Sequence, residues 1–297
     1  MQRKVQTRDG RVLAVEDAGD SAGRPVLVHS GTPGCRLLYA RDVRDAADRG
    51  LRLIGYDRPG YGGSSPQPGR TVADCADDVR AICAALGIDR LAMWGASGGG
   101  PHLLACAALL PDLVAAAASL ASLAPFDADG LDYFAGMGQL NIDDTLLTLK
   151  DEAAARAKAD KDREEILAEP PTDAGDGSPD NAGDGPETML APVDAAALTA
   201  GLGDYLGASM REALAPGVDG WWEDNCNLRP WGFSLRDITV PVLLLHGRQD
   251  GFVPFGHGEW LAAHIPGVEA RLFDDDGHLS LLQNRLPEVH AWLSDRL

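Results

Sequence analysis

The stretch Gly95-Ala96-Ser97-Gly98-Gly99 constrains this chain more than any other. It follows the apolar run Leu91–Trp94 and precedes Gly100-Pro101-His102-Leu103-Leu104. Strand, tight turn and helix is the setting in which G-x-S-x-G carries chemistry. A serine on such a turn needs small neighbours, and Gly95 and Gly99 supply the clearance. The following helix aims its N-terminal N–H groups at the same point. A serine held there is exposed, within reach of a histidine and beside an anion site, which points to a hydrolytic enzyme.

The rest of the chain supplies the scaffold. Asp9-Gly10 joins two short extended runs into a hairpin, Arg3–Thr7 and Val12–Ala18. Strands are predicted at Pro25–His29, Leu51–Tyr56, Leu91–Trp94, Val114–Leu123, Val240–His246 and Glu269–Phe273. Helices are predicted at about 37–49, from a Thr71 cap onward, and over 101–110, 258–264 and 286–297. By period alone 114–123 is open between strand and helix; its place in the alternation argues strand. Alternating β and α with buried apolar strands means α/β, a mostly parallel sheet covered by helices.

The alternation breaks between about Pro125 and Asp237. That block reads as an inserted helical cap, 125–237, over a core of 1–124 and 238–297. Within it, 169–187 is rich in Pro, Gly, Asp, Ser and Asn and reads as a mobile acidic loop.

Composition excludes other classes. The chain has 297 residues, 45% hydrophobic, enough for a sizeable core. Its net charge of −19 argues against nucleic acid and anionic lipid surfaces. Ten acids and no Lys or Arg lie between Glu164 and Met210, so much of that charge sits in one segment. No apolar run is long enough for a membrane span, and the N-terminus lacks a signal-like apolar region. A cytoplasmic protein is expected. Five scattered cysteines without a Cys-x-x-Cys pair suggest neither a disulfide framework nor a metal site. Cys35 reads as a bystander near the site.

A serine nucleophile needs a base, and the base needs an orienting carboxylate. Asp250 and His278 follow late strands, at the sheet edge where Ser97 emerges. His257 is the rival base. Asp127 and Asp129 are fallback acids, and Asp274, Asp275 and Asp276 read as a solvated turn. His102 is expected to point along its helix, away from the turn. Oxyanion donors are expected from Gly98 N–H and from the loop Gly31-Thr32-Pro33-Gly34, where Thr32 N–H is the candidate.

Taken together, His29–Gly34, Asp57-Arg58-Pro59-Gly60-Tyr61-Gly62-Gly63-Ser64-Ser65, the serine turn, Gly247-Arg248-Gln249-Asp250 and Gly277-His278 resemble the α/β-hydrolase superfamily. The resemblance covers the whole chain except the cap. It implies a Ser97–His278–Asp250 triad, a helical cap between the sixth and seventh strands, and no cofactor. The family often has His-Gly at the oxyanion loop; here Ser30 follows His29, so the second donor is Gly31 or Thr32. Hydrolysis of a small carboxylic ester is the activity implied, with a small-molecule acyl substrate.

Cap aromatics Trp221, Trp222, Trp231, Phe233 and Phe134 are candidates to line the substrate pocket. A prolyl-type aminopeptidase is the alternative, with Glu223 or Asp224 holding the substrate amine. A dehalogenase or epoxide hydrolase would need aspartate in place of Ser97. A non-catalytic receptor on the same scaffold is the alternative of another class.

Overall fold

A computed structural model describes residues 1–168, 190–198 and 201–297. Its sheet contains β1 (Gln2–Gln6), β2 (Val12–Gly19), β3 (Arg24–His29), β4 (Leu51–Tyr56), β5 (Leu91–Ala96), β6 (Val114–Leu120), β7 (Val242–Gly247) and β8 (Glu269–Phe273). The strand order is β1-β2-β4-β3-β5-β6-β7-β8. Strands β3 to β8 run parallel, and β2 pairs antiparallel with both β1 and β4. The C-terminal ends of β5, β7 and β8 therefore share one edge.

Helices cover both faces. On one side α2 (Cys75–Leu86), α3 (Gly100–Leu109) and α9 (Phe255–His264) bury Val79, Ile82, Leu104 and Leu261 against Leu27, Met93, Ala117 and Leu244. On the other, α1 (Ala40–Asp48) and α10 (His278–Ser294) bury Ala46, Leu281, Val289 and Leu293 against Val28, Ala92, Ala116, Ala118 and Leu243. Alternate residues of β6 thus enter opposite layers, as strand geometry requires. All seven of its residues are buried, and its alanines let helices on both sides approach closely. This resolves 114–123 as a strand that stops at Leu120.

Between β6 and β7 the chain forms a helical insertion, with α4 (Gln139–Lys150), α5 (Glu152–Ala168), α6 (Pro192–Leu198), α7 (Leu202–Leu214) and α8 (Asp219–Glu223). A 3-10 turn, Asp224–Leu228, follows α8. The expected acidic loop at 169–187 lies outside the described residues.

Three local expectations need correction. Helix α1 begins at Ala40, not Leu37, because Asp57 takes the Arg36 backbone N–H (2.6 Å) and guanidinium (2.7 Å) and holds the preceding chain out of a helix. Thr71 does not cap α2; it donates its N–H and hydroxyl to Asp74 Oδ2 (2.6 and 2.7 Å), and the helix starts at Cys75. Helix α10 starts at His278, eight residues ahead of Leu286, and carries Pro287 inside it.

Candidate active site

β5 ends in extended backbone at Ala96, and Ser97 then adopts φ +53°. A non-glycine residue there is strained and persists only when its surroundings fix it. They do so at close range. A Cβ on Gly99 would fall 2.5 Å from Ser30 O, and one on Gly98 would fall 2.9 Å from Thr32 Cβ. The 3-10 turn Ser97–Gly99 runs directly into α3.

Asp250 and His278 are brought together. His278 Nδ1 donates to Asp250 Oδ2 at 2.7 Å. Asp250 Oδ1 accepts the N–H groups of Phe252 (2.9 Å) and Val253 (2.8 Å), so the carboxylate is held at both oxygens. The Phe252 ring lies 5.0 Å from the imidazole. Among the described residues, neither His278 Nε2 nor Ser97 Oγ makes a hydrogen bond. Nε2 is therefore the nitrogen left to serve a hydroxyl at this edge. Burial disfavours the imidazolium, but Asp250 outweighs it through charge and hydrogen bond, with Asp194 adding to it, and the His278 pKa rises above its usual value.

Asp194 escaped the sequence reading. It is fully buried on α6 of the helical insertion. Its carboxylate accepts the backbone N–H groups of His278 (2.9 Å), Leu279 (2.9 Å) and Ser280 (2.8 Å), the orphan donors at the start of α10. Nothing local marked it, since an aspartate in Pro-Val-Asp-Ala-Ala reads as an ordinary helix-start residue.

The loop after β3 approaches Ser97 from the other side. A Cβ on Gly31 would sit 3.5 Å from Ser97 Cβ and 4.0 Å from Oγ. Beneath this loop lies a buried ionic cluster. Asp224 takes Arg58 Nη2 (2.6 Å), Arg70 Nη2 (2.5 Å), the Tyr61 hydroxyl (2.8 Å) and the Thr32 hydroxyl (2.5 Å). Burial would raise the Asp224 pKa, but two guanidiniums hold it far below the usual carboxylate range. Asp224 is thus fully engaged, and Glu223 accepts Gly69 N–H (2.9 Å). Asp224 is therefore not a free acid for a substrate amine.

The histidines separate clearly. His102 was expected to point away from the turn; instead its Nδ1 lies 3.0 Å from Gly98 O and its Nε2 3.0 Å from Arg70 Nη1. Burial, with Arg58 next, pushes its pKa down to about 3, so it is neutral, and Arg70 leaves Nδ1 as the donor. His257 cannot serve as base: Nδ1 accepts Ala124 N–H (3.1 Å) and Nε2 bonds Tyr133 O (2.9 Å). Asp127 and Asp129 are exposed on the loop after β6, away from any imidazole bond. Asp276 is not solvated but buried against Arg285 (2.7 Å) and Asn284 (2.9 Å). Cys35 is buried with Ser209, 3.4 Å away.

Most of the proposed pocket aromatics are placed elsewhere. Trp231 is buried in the core with Nε1 on Asn227 O (3.2 Å), and Phe233 stacks on it at 5.7 Å. Trp221 packs on the Cys35–Tyr61–Leu214 cluster. With Trp222 it lines a cavity of about 120 Å³ between α4, α5 and α8 that touches none of Ser97, Asp250 and His278. Phe134 packs edge-on against Phe126 (6.2 Å) and Tyr133 (5.4 Å). Among the described residues no group of three His, Cys, Asp or Glu is arranged to hold a metal, and no helix is long and apolar enough to cross a membrane.

Known proteins share this architecture. Residues 24–285 match the family described as the alpha/beta hydrolase fold. An AB hydrolase superfamily protein of Bacillus subtilis, YisY, is 28% identical over 92% of this chain and 91% of its own. A 2-hydroxy-6-oxononadienedioate/2-hydroxy-6-oxononatrienedioate hydrolase of Klebsiella pneumoniae is 24% identical over 91% of this chain and 86% of its own. The structure of a thermophilic esterase from Thermogutta terrifontis superposes with TM-score 0.69 at 21% identity, covering 99% of this chain and 98% of that one.

Proposed function

The chain belongs to the alpha/beta hydrolase fold family, and on that premise we propose that it is a serine hydrolase cleaving a small carboxylic ester through an acyl-enzyme on Ser97. Residues 125–237 then act as a cap that selects the substrate, over a core of 1–124 and 238–297. The observation that carries this reading is the buried Asp250–His278 bond of 2.7 Å, at the sheet edge where Ser97 is held at φ +53°.

The proposed reaction has two stages. Ser97 Oγ adds to the acyl carbon while its proton passes to His278 Nε2. Asp250 holds the ring and stabilises the imidazolium. The carbonyl π pair moves onto oxygen, where N–H groups of Gly98 and of Gly31 or Thr32 receive it. The tetrahedral species collapses, and the alcohol leaves with the proton from His278. Water then adds to the acyl-enzyme, giving its proton to His278, and collapse releases acid and restores Ser97. No cofactor enters these steps.

The test is turnover of p-nitrophenyl acetate and butyrate by wild type and Ser97→Ala, beside a thioester and an aminoacyl amide. Ester turnover that falls by about 10³-fold or more in Ser97→Ala supports the reading. Equal turnover in both proteins would refute it, and saturable ligand binding without turnover would favour the receptor. For the aminopeptidase alternative Asp224 is spent on two arginines, which leaves Glu223 as the acid to hold a substrate amine.

A further inference from the structure

We propose that Arg58 orients and polarises the peptides of the oxyanion hole, and that Asp224 of the helical insertion fixes Arg58 in that pose. The inference rests on the reading of Ser97 as nucleophile and makes Arg58 a positioning residue.

In a trans peptide the C=O and N–H of one unit point in opposite directions. Arg58 Nη1 donates to Ser30 O at 2.5 Å, and that carbonyl shares its peptide with Gly31 N–H. Arg58 Nη2 donates to Gly31 O at 3.0 Å, and that carbonyl shares its peptide with Thr32 N–H. One guanidinium therefore grips the carbonyls of both peptides whose N–H groups are candidate donors. Both N–H groups are turned away from Arg58, and neither makes a hydrogen bond among the described residues. Arg58 Nη2 also donates to the Thr32 hydroxyl oxygen at 3.1 Å.

The fold explains why Arg58 is there. β4 lies beside β3, so the loop after β4 rises next to the loop after β3. Arg58 is 1% exposed. It is locked by Asp224, through Nε at 3.2 Å and Nη2 at 2.6 Å. Arg70 shares that carboxylate and reaches His102, which bonds Gly98 O beside the nucleophile. The cluster holds two guanidiniums, one carboxylate and a neutral imidazole, leaving one positive charge buried behind the loop.

Two effects on the reaction follow. A cation on a peptide carbonyl strengthens the N–H of the same peptide as a donor. A fixed positive charge in a water-poor site favours the oxyanion over the neutral carbonyl, which lowers the barrier without tightening substrate binding. A lysine cannot reproduce the arrangement, because one ammonium cannot reach two carbonyls and a carboxylate in a fixed plane.

The experiment compares wild type, Arg58→Lys and Asp224→Asn. For each, kcat and KM on p-nitrophenyl acetate are measured with the inhibition constant of phenylboronic acid, which forms an anionic tetrahedral adduct on an activated serine. Circular dichroism and thermal melting identify folded variants. The expectation for Arg58→Lys is a kcat lower by roughly 10- to 100-fold, KM within about 3-fold, and boronate affinity lost in step with kcat. Asp224→Asn keeps the carboxyl shape but releases Arg58 from its anchor; the lost orientation lowers kcat and boronate affinity even though the net buried charge rises, and this variant carries the test should Arg58→Lys not fold. A folded variant with unchanged kcat and boronate affinity, or with KM alone raised, overturns the proposal while leaving Ser97 as nucleophile. A wild type that neither turns over ester nor binds boronate overturns the nucleophile reading, and this inference with it.

Discussion

Asp194 Oδ2 accepts the backbone N–H of His278 at 2.9 Å, across 84 residues of sequence. The candidate base is thus gripped twice, its ring by Asp250 from the loop after β7 and its backbone by a carboxylate from the insertion. The negative charge at the start of α10 also opposes the helix dipole and favours the imidazolium. The groups facing the ring are Asp250, His246 beyond it (Nε2 3.6 Å from Asp250 Oδ2) and Asp194.

Asp194→Asn removes one of the charges that raise the His278 pKa. The base acts in its neutral form, so kcat/KM rises with pH through that pKa. With the pKa lowered, the acid limb moves to lower pH. The pH profile of kcat/KM checks this; an unmoved limb in a folded variant would contradict it. Asp194→Ala also loses the cap, costing about 1–2 kcal/mol, read as a lower urea midpoint.

Trp231→Ala tests whether this aromatic packs or recognises. Trp231 is 5% exposed within the main core cluster. Its truncation is expected to destabilise by about 3–5 kcal/mol. KM for an ester should stay within about 2-fold in the folded fraction, since Trp231 packs with the core. A stable variant with KM raised tenfold or more would restore it to the pocket.

Acid lability should set in above the carboxylate range. Burial holds the pKa of His102 down to about 3, that of His257 down to about 4, and that of His29 well below its usual value. In the unfolded chain these rings protonate near 6.5, so between 6.5 and the folded values the unfolded state binds more protons. Stability therefore falls as pH drops below 6.5, by about 1.4 kcal/mol per pH unit for each histidine. His278 acts in the opposite sense: its raised pKa contributes stability that is full below 6.5 and lost as pH rises through its folded value. Urea midpoints at pH 7.5, 6 and 5 should fall steadily, and a flat series would contradict the account.

The strands and the serine turn were legible because each rests on local sequence. The run Leu91–Trp94, the small residues around Ser97 and the glycine clearance are contiguous, and the structure places them as read. Asp250 and His278 were legible from order alone, each just past a late strand. What sequence hid was settled by distant partners. Helix α10 starts eight residues before Leu286, where its first N–H groups are met by Asp194 on another element, a partner no local pattern reveals. Asp224 looked like an available acid, but two arginines from the loop after β4 meet it in the core. The tryptophans read as pocket for want of any local sign that the core claims Trp231.

The central claim is that Ser97 is a nucleophile activated by His278. The most direct measurement is labelling with a fluorophosphonate, with the adduct located by peptide mass spectrometry, in wild type and His278→Ala. The account predicts a stoichiometric adduct on Ser97 in wild type and labelling slowed by about 10³-fold or more in His278→Ala. A folded wild type that stays unlabelled, or an adduct at Ser97 that forms equally fast without His278, would contradict it.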